Sequence, residues 1–268
     1  MIHQLYEWQS TINIIRLIAC MAILGYACLT DWKVRRAPNE LWIALGAIGV
    51  VLDAIEFWAG DFNYLYIVFL IIGVGFIYVL VYVIFKVGGF GGADAKALIA
   101  IAIVFPFPLY PIINIGGVWF PIAYQLHSPI FALTVLGNAV TIMLIIPLFV
   151  LLYNLLNVPI GELAKNPIGA LTGYKMNIDR IKGRHLRLMH RYTEEEDGRM
   201  SIKMAFRGNE ADDEMLARLE KWSGEGKIGD RVWVTPKLPF LIPITIGLII
   251  AVLYGDILMQ IVAFLMGR

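Results

Sequence analysis

Leu65-Tyr66-Ile67-Val68-Phe69-Leu70-Ile71-Ile72-Gly73-Val74-Gly75-Phe76-Ile77-Tyr78-Val79-Leu80-Val81-Tyr82-Val83-Ile84-Phe85 runs without a charged residue. At about 1.5 Å of rise per residue, a helix of this length spans the roughly 30 Å of a bilayer's hydrocarbon core. A helix bonds its own backbone over that distance, so the stretch predicts a transmembrane helix. The whole chain shares this character: 59% of its 268 residues are hydrophobic and 16% are charged, more apolar than a soluble surface allows. Apolar stretches on either side bring the expected crossings to six, at residues 12–29, 41–57, 65–85, 97–115, 130–156 and 238–266.

The chain therefore reads as an all-α membrane protein, multi-pass in the cell membrane, with the lipid bilayer as its solvent. Residues 1–156 carry the first five helices, 157–237 form a small mixed α/β domain inserted before the last helix, and 238–268 supply that helix. Met1 to Ser10 holds no Lys or Arg ahead of the first apolar segment, so that segment is expected to stay in the mature chain. Cys20 and Cys28 lie on one predicted helix about 12 Å apart along its axis, beyond disulfide reach.

Net charge is +1, which gives no reason to expect a nucleic-acid partner. The placement of charge is more informative. Lys33, Arg35, Arg36, Lys86 and Lys96 flank alternate loops, while the opposite loops, 53–64 and 106–129, hold no Lys or Arg. Basic residues near helix ends stay on the cytoplasmic side, so both termini are expected to face outward. Arg16 and Arg268 are the exceptions, and Arg16 is expected to snorkel outward.

Residues 157–237 hold 15 of the 22 Lys and Arg and so read as cytoplasmic. Within them, Asn209 and Asp212 are helix-capping residues ahead of an apolar stripe at Met215, Leu216 and Leu219, and Gly224 ends the pattern. Met200 to Phe206 and Arg231 to Val234 alternate as strands do. The run Glu194-Glu195-Glu196-Asp197 reads as a solvated loop rather than a binding site. Asn138, inside the fifth crossing, reads as a hydrogen-bonding partner for a neighbouring helix.

Ionisable side chains at membrane depth are costly, and two that stand out share the basic face. Asp31 closes the first helix. Asp94 opens the fourth, in Val87-Gly88-Gly89-Phe90-Gly91-Gly92-Ala93-Asp94-Ala95-Lys96. Either alone reads as an ordinary interfacial charge. Together they suggest acid–base chemistry, since two nearby carboxyls cannot both ionise cheaply: one keeps a proton while the other activates water against a peptide carbonyl. Glycines ahead of Asp94 let a substrate backbone approach and the loop bend. Pro38-Asn39 marks the turn into the second helix.

These motifs resemble those of the type IV prepilin peptidases, and more closely their archaeal branch, the preflagellin peptidases. Asp31 followed by Pro38-Asn39 is similar to the family's first aspartate motif. Gly91-Gly92-Ala93-Asp94-Ala95-Lys96 is similar to its glycine-x-glycine-aspartate motif with the trailing lysine, Ala93 standing where bacterial members have the second glycine. Gly173-Tyr174-Lys175-Met176 and Trp233-Val234-Thr235-Pro236-Lys237-Leu238-Pro239, running on to Pro243-Ile244-Thr245, resemble the archaeal members. The resemblance implies an intramembrane aspartyl endopeptidase that removes a short basic leader from preflagellin or pilin-like precursors at the cytoplasmic membrane face. It implies Asp31 and Asp94 as the catalytic pair, supported by Pro38, Asn39, Gly91, Gly92, Ala93 and Lys96, with no cofactor and no metal. The zinc-ligating cysteines of bifunctional bacterial members are absent, so N-methylation is not implied.

The rival reading is an ion- or proton-coupled membrane transporter, whose carboxylates bind the coupling ion. Carriers place such groups near the midplane and often show inverted repeats; both aspartates here lie at one interface, and no repeat is visible. Serine and zinc proteases lack their inventory: Ser10 and Ser128 fall on the predicted outer side and Ser201 and Ser223 in the cytoplasmic domain, and the histidines form no H-E-x-x-H helix.

Overall fold

The computed structural model describes residues 2–34, 36–59, 64–87, 89, 91–106, 110–123, 127–195, 199–236 and 239–267. Arg35 and Arg268 of the charge pattern, Gly88 and Phe90 of the glycine loop, Glu196 and Asp197 of the acidic run, and Lys237 and Leu238 of the C-terminal motif lie outside them. In chain order, α1 (Ile2–Val34), α2 (Asn39–Ala59), α3 (Tyr64–Lys86) and α4 (Gly92–Val104) precede strands β1 (Ile113–Ile115) and β2 (Val118–Phe120). Next come α5 (Phe131–Met143), α6 (Ile145–Asn157), α7 (Ile160–Lys165), α8 (Pro167–Thr172) and β3 (Tyr174–Asn177). A 3-10 turn at Ile178–Arg180 leads to β4 (Leu186–Glu194), β5 (Met200–Glu210), α9 (Asp213–Gly224), β6 (Arg231–Pro236), α10 (Leu241–Leu253) and α11 (Ile257–Leu265). The chain forms two compact units, Met1–Met143 with Pro239–Arg268, and Leu144–Leu238.

Among the described residues, four helical runs are long and apolar enough to cross a membrane: Trp8–Val34, Asn39–Ala59, Tyr64–Lys86 and Phe131–Asn157, the last made of α5 and α6. A fifth arises if α10 and α11 count as one bent span. The protein is thus mostly helical, with four to five candidate spans and a small sheet domain.

In the first unit α4 is the central element, packed against α1, α2, α3, α5 and α10. Its small buried residues, Ala97, Ala100 and Ala102, let neighbours come close. Gly49 of α2 meets it at one such approach, where a Cβ would lie 3.0 Å from the Val104 Cα. The fourth crossing expected over 97–115 is not one helix. Its 13 residues span about 20 Å. Phe105 leaves the helix ahead of Pro106, because a residue preceding proline is pushed out of the α region, and the chain enters the β1–β2 hairpin. Ser10 and Asn13 of α1 anchor that hairpin: Ser10 Oγ accepts the Asn114 N–H at 2.8 Å, and Asn13 Nδ2 donates to the Ile112 carbonyl at 3.1 Å.

The sixth crossing expected over 238–266 is also interrupted, since α10 and α11 are bent by 72°. Gly255 adopts φ 125°, a conformation that L side chains rarely take, and Asp256 caps α11 by accepting the Met259 N–H at 2.9 Å. Buried backbone groups freed by such a break need partners in lipid. Asn138 of α5 supplies them: its Nδ2 donates to the Gly255 carbonyl at 2.9 Å, and its Oδ1 accepts the Ile257 N–H at 2.9 Å. It also reaches the Gly247 carbonyl on α10 at 3.4 Å, so it serves the helix-bonding role read from the sequence.

Arg16 does not snorkel. It is 1% exposed and donates to Asp53 at 2.6 Å and Glu56 at 2.9 Å, both on α2. Tyr66 of α3 donates to the same carboxylates, at 3.1 and 2.8 Å. Pairing with carboxylates inside the bundle replaces the water that snorkelling would have reached.

In the second unit, four antiparallel strands lie in the order β3-β6-β4-β5. Leu216, Leu219 and Trp222 of α9 pack on Leu188, Val232 and Val234 of the sheet. Asp212 caps α9, accepting the Met215 N–H at 2.8 Å, whereas Asn209 belongs to β5. Glu194 is not a free loop charge. It accepts bonds from Lys227 and from Trp222 Nε1, and the Lys227 ammonium holds its carboxyl below the usual range.

Candidate active site

Asp31 lies in the last turn of α1 and Asp94 in the first turn of α4, so the two chain directions bring both to one end of the first unit. Asp94 is buried and Asp31 half-buried. The Asp31 carboxylate acts electrostatically on Asp94, and both act on Cys28, one helical turn before Asp31. The two carboxyls are thus neighbours across the α1–α4 boundary.

The local backbone fixes Asp94. Gly91 is the N-cap residue of α4, and its N–H donates to Asp94 Oδ2 at 2.9 Å. This is the reach-back half of a capping box, made without a side chain at the cap itself. A Cβ at Gly91 would sit 2.9 Å from that same oxygen, so a side chain there would displace the carboxylate or the loop. Gly92 differs: a Cβ there would meet only Phe85 Cε2, at 3.9 Å, an ordinary contact. Ala93 and Ala95 pack partly buried against the helical core, so the methyl of Ala93 has a place.

The two sequence motifs meet through a side-chain bond. Lys96 Nζ donates to Asn39 Oδ1 at 2.6 Å, tying the first turn of α2 to α4. Ala37 packs against the core just before Pro38, which is exposed at the entrance to α2. Asp31, Pro38, Asn39, Gly91, Gly92, Ala93, Asp94 and Lys96 therefore occupy adjoining ends of α1, α2 and α4.

α10 also reaches this neighbourhood. Cys28 Sγ lies 3.1 Å from Thr245 Oγ1, which bonds back to the Leu241 carbonyl of its own helix at 2.8 Å. Neither residue is among the site residues read from the sequence, where Cys28 figures only as lying beyond disulfide reach of Cys20. Its position three residues before Asp31 was the available signal, because residues so spaced share a helix face. Among the described residues no group of three or more His, Cys, Asp or Glu side chains is arranged to hold a metal ion.

Chemically, two carboxyls that approach one another can share one proton, one acting as base while the other acts as acid.

Residues 18–153 match the family model described as the type IV leader peptidase family, and residues 165–257 match one described as archaeal peptidase A24 C-terminus, type II. A preflagellin peptidase of Methanococcus voltae is 27% identical over 240 residues, covering 88% of this chain and 93% of its own. One from Methanococcus maripaludis is 27% identical over 230 residues, with 86% and 90% covered. One from Methanocaldococcus jannaschii is 24% identical over 234 residues, with 86% and 89% covered.

Proposed function

The chain belongs to the type IV leader peptidase family, and from that premise we propose that Asp31 and Asp94 are the catalytic pair with which it removes a leader peptide. It is a multi-pass membrane protease, and the ion-coupled carrier is not favoured. The observation that carries the site assignment is the placement of the two aspartates, Asp31 in the last turn of α1 and Asp94 in the first turn of α4, in helices that pack together in the first unit.

In this reading one carboxylate takes a proton from water as the oxygen attacks the scissile carbonyl, and the protonated partner gives its proton to the carbonyl oxygen. Collapse of the tetrahedral diol breaks the C–N bond: the carboxyl that took water's proton gives it to the departing amine, and one diol hydroxyl returns its proton to the other carboxylate as the product carboxyl forms. The pair ends with one proton, as it began. Asp94 is held for this by the Gly91 N–H, and Lys96 with Asn39 fixes α4 against the turn that follows Asp31.

The substrate is a preflagellin or pilin-like precursor, whose basic leader stays at the cytoplasmic face while its hydrophobic helix docks among the spans. The relatives named preflagellin peptidase support this choice. We count six crossings: the four long runs, α4 completed by the segment after it, and the bent α10–α11 pair. Both termini then face outward and the sheet domain is cytoplasmic, following the lysine and arginine bias.

The test is to mix membranes containing the chain with a preflagellin-like precursor and map the products by mass spectrometry. One cut between the basic leader and the hydrophobic segment is expected. Cuts scattered through the precursor would contradict a leader peptidase acting at the membrane face.

A further inference from the structure

α7 and α8 belong to the sheet-bearing unit, yet their outward surface is not that of a soluble domain. Their inner face is used: Leu163 and Ala170 pack with Met189 and Trp233 of the sheet. Outward they show Ile160, 73% exposed, with Ile168 and Leu171. The only carboxylate in the two helices, Glu162, is half-buried and ion-paired with Lys175 of β3, which leaves Lys165 as the one exposed charge.

The depth of this surface is set by α6. Asn154, fully buried in the last turn but one of that helix, donates through Nδ2 to the Ala170 carbonyl at 2.9 Å and to the Gly173 carbonyl at 2.7 Å. The C-terminal end of α8 is thereby held level with residue 154. The adjoining residues of α6 are apolar and exposed, Leu155 at 50% and Leu156 at 78%, continuing the face that bears Leu148 and Phe149. That face belongs to a run long and apolar enough to cross a membrane. A surface fixed beside its final turns shares its surroundings.

We propose that α7 and α8 form a foot by which the sheet domain is seated in the lipid interface, with Ile160, Ile168 and Leu171 in the acyl boundary and Lys165 at the headgroups. Short amphipathic segments bind in this way, by apolar burial supplemented by attraction to anionic lipid. The foot gives the domain a second attachment besides its covalent links to the helices on either side.

The test uses the full chain in phosphatidylcholine–phosphatidylglycerol vesicles, with nitroxide labels on Ile168→Cys or Leu171→Cys in a Cys20→Ala, Cys28→Ala background. Phe149→Cys serves as the lipid-facing reference and Lys182→Cys as the water-facing one. Labels at 168 and 171 are expected to collide with oxygen and to lose contact with a water-soluble nickel chelate, as at 149. Nickel contact equal to that at 182 would overturn the proposal by placing the surface in water. Exclusion of both reagents would overturn it as well, by showing that protein covers the surface.

Discussion

At Gly91 a single hydrogen atom separates a working cap from a collision. A methyl there would stand 2.9 Å from Asp94 Oδ2, the oxygen that accepts the Gly91 N–H, so the carboxylate or the loop must move. Displacing a reacting group by a fraction of an ångström to an ångström costs roughly tenfold to a hundredfold in rate. Gly91→Ala is therefore expected to lower leader cleavage by at least about tenfold, equivalent to about 1.4 kcal/mol. Gly92→Ala, which adds only a contact at 3.9 Å, should stay within about threefold of the parent. Initial cleavage rates at matched expression check both, and equal losses would show that flexibility rather than space governs the loop. The placement of the two aspartates at the end of α1 and the start of α4 was legible in the sequence, because carboxyls at membrane depth are costly and these two share a basic face. The Lys96–Asn39 bond was not, since it joins residues 57 positions apart and only packing brings them together.

Among the elements, the fit of α1 to α2 and α3 turns on Arg16. Its guanidinium is 2% exposed in the side chain and bridges carboxylates that are 5% and 9% exposed. Arg16→Met would leave Asp53 and Glu56 buried beside one another without their cation, at a cost of about 3–5 kcal/mol. A clear drop in thermal stability in detergent is expected, and combining it with Asp53→Asn and Glu56→Gln should recover most of the loss. An unaltered melting temperature for Arg16→Met would contradict the ion-pair account. Charge counting along the sequence could not place this cluster, because whether an arginine snorkels or pairs depends on which neighbour faces it.

The sheet carries a pH dependence of its own. Burial, and then Lys175, hold His190 below its ordinary value near 6.5. The unfolded chain thus binds a proton at a pH where the folded one does not, so stability falls as pH drops below about 6.5 and levels off beneath the folded value. Hydrogen exchange of β4, corrected for its intrinsic rate, should show this loss in the parent and less of it in His190→Gln. An identical slope in both would assign the effect elsewhere. The helix breaks show why element boundaries were the less readable part. Pro106 and Gly255 were visible, but an apolar count runs straight through a break whose freed backbone groups are met by a side chain on another helix, as Asn138 does for α11.

For the whole molecule, the charge pattern makes a statement about sides that the structure of an isolated chain does not contain. A membrane-impermeant maleimide applied to intact cells should label Gly117→Cys, in the β1–β2 turn, and spare Lys182→Cys, in the sheet domain, until the cells are opened. The reverse pattern would invert the topology and put the carboxyl pair on the wrong face for a cytoplasmic leader. The general architecture, a mostly helical membrane protein carrying a small sheet domain before its last helices, followed from apolar length and the clustering of charge. The number of crossings did not, because α4 ends after 13 residues and α10 bends by 72° into α11.

The central claim is that Asp31 and Asp94 act as one pair. The direct measurement is cleavage of a preflagellin-like precursor by membranes carrying the parent, Asp31→Asn or Asp94→Asn at equal expression. Asparagine keeps the size of the side chain and removes the exchangeable proton, so cleavage should be lost in each variant separately while both proteins remain folded in the membrane. Cleavage at the parental rate in either one would contradict the pair.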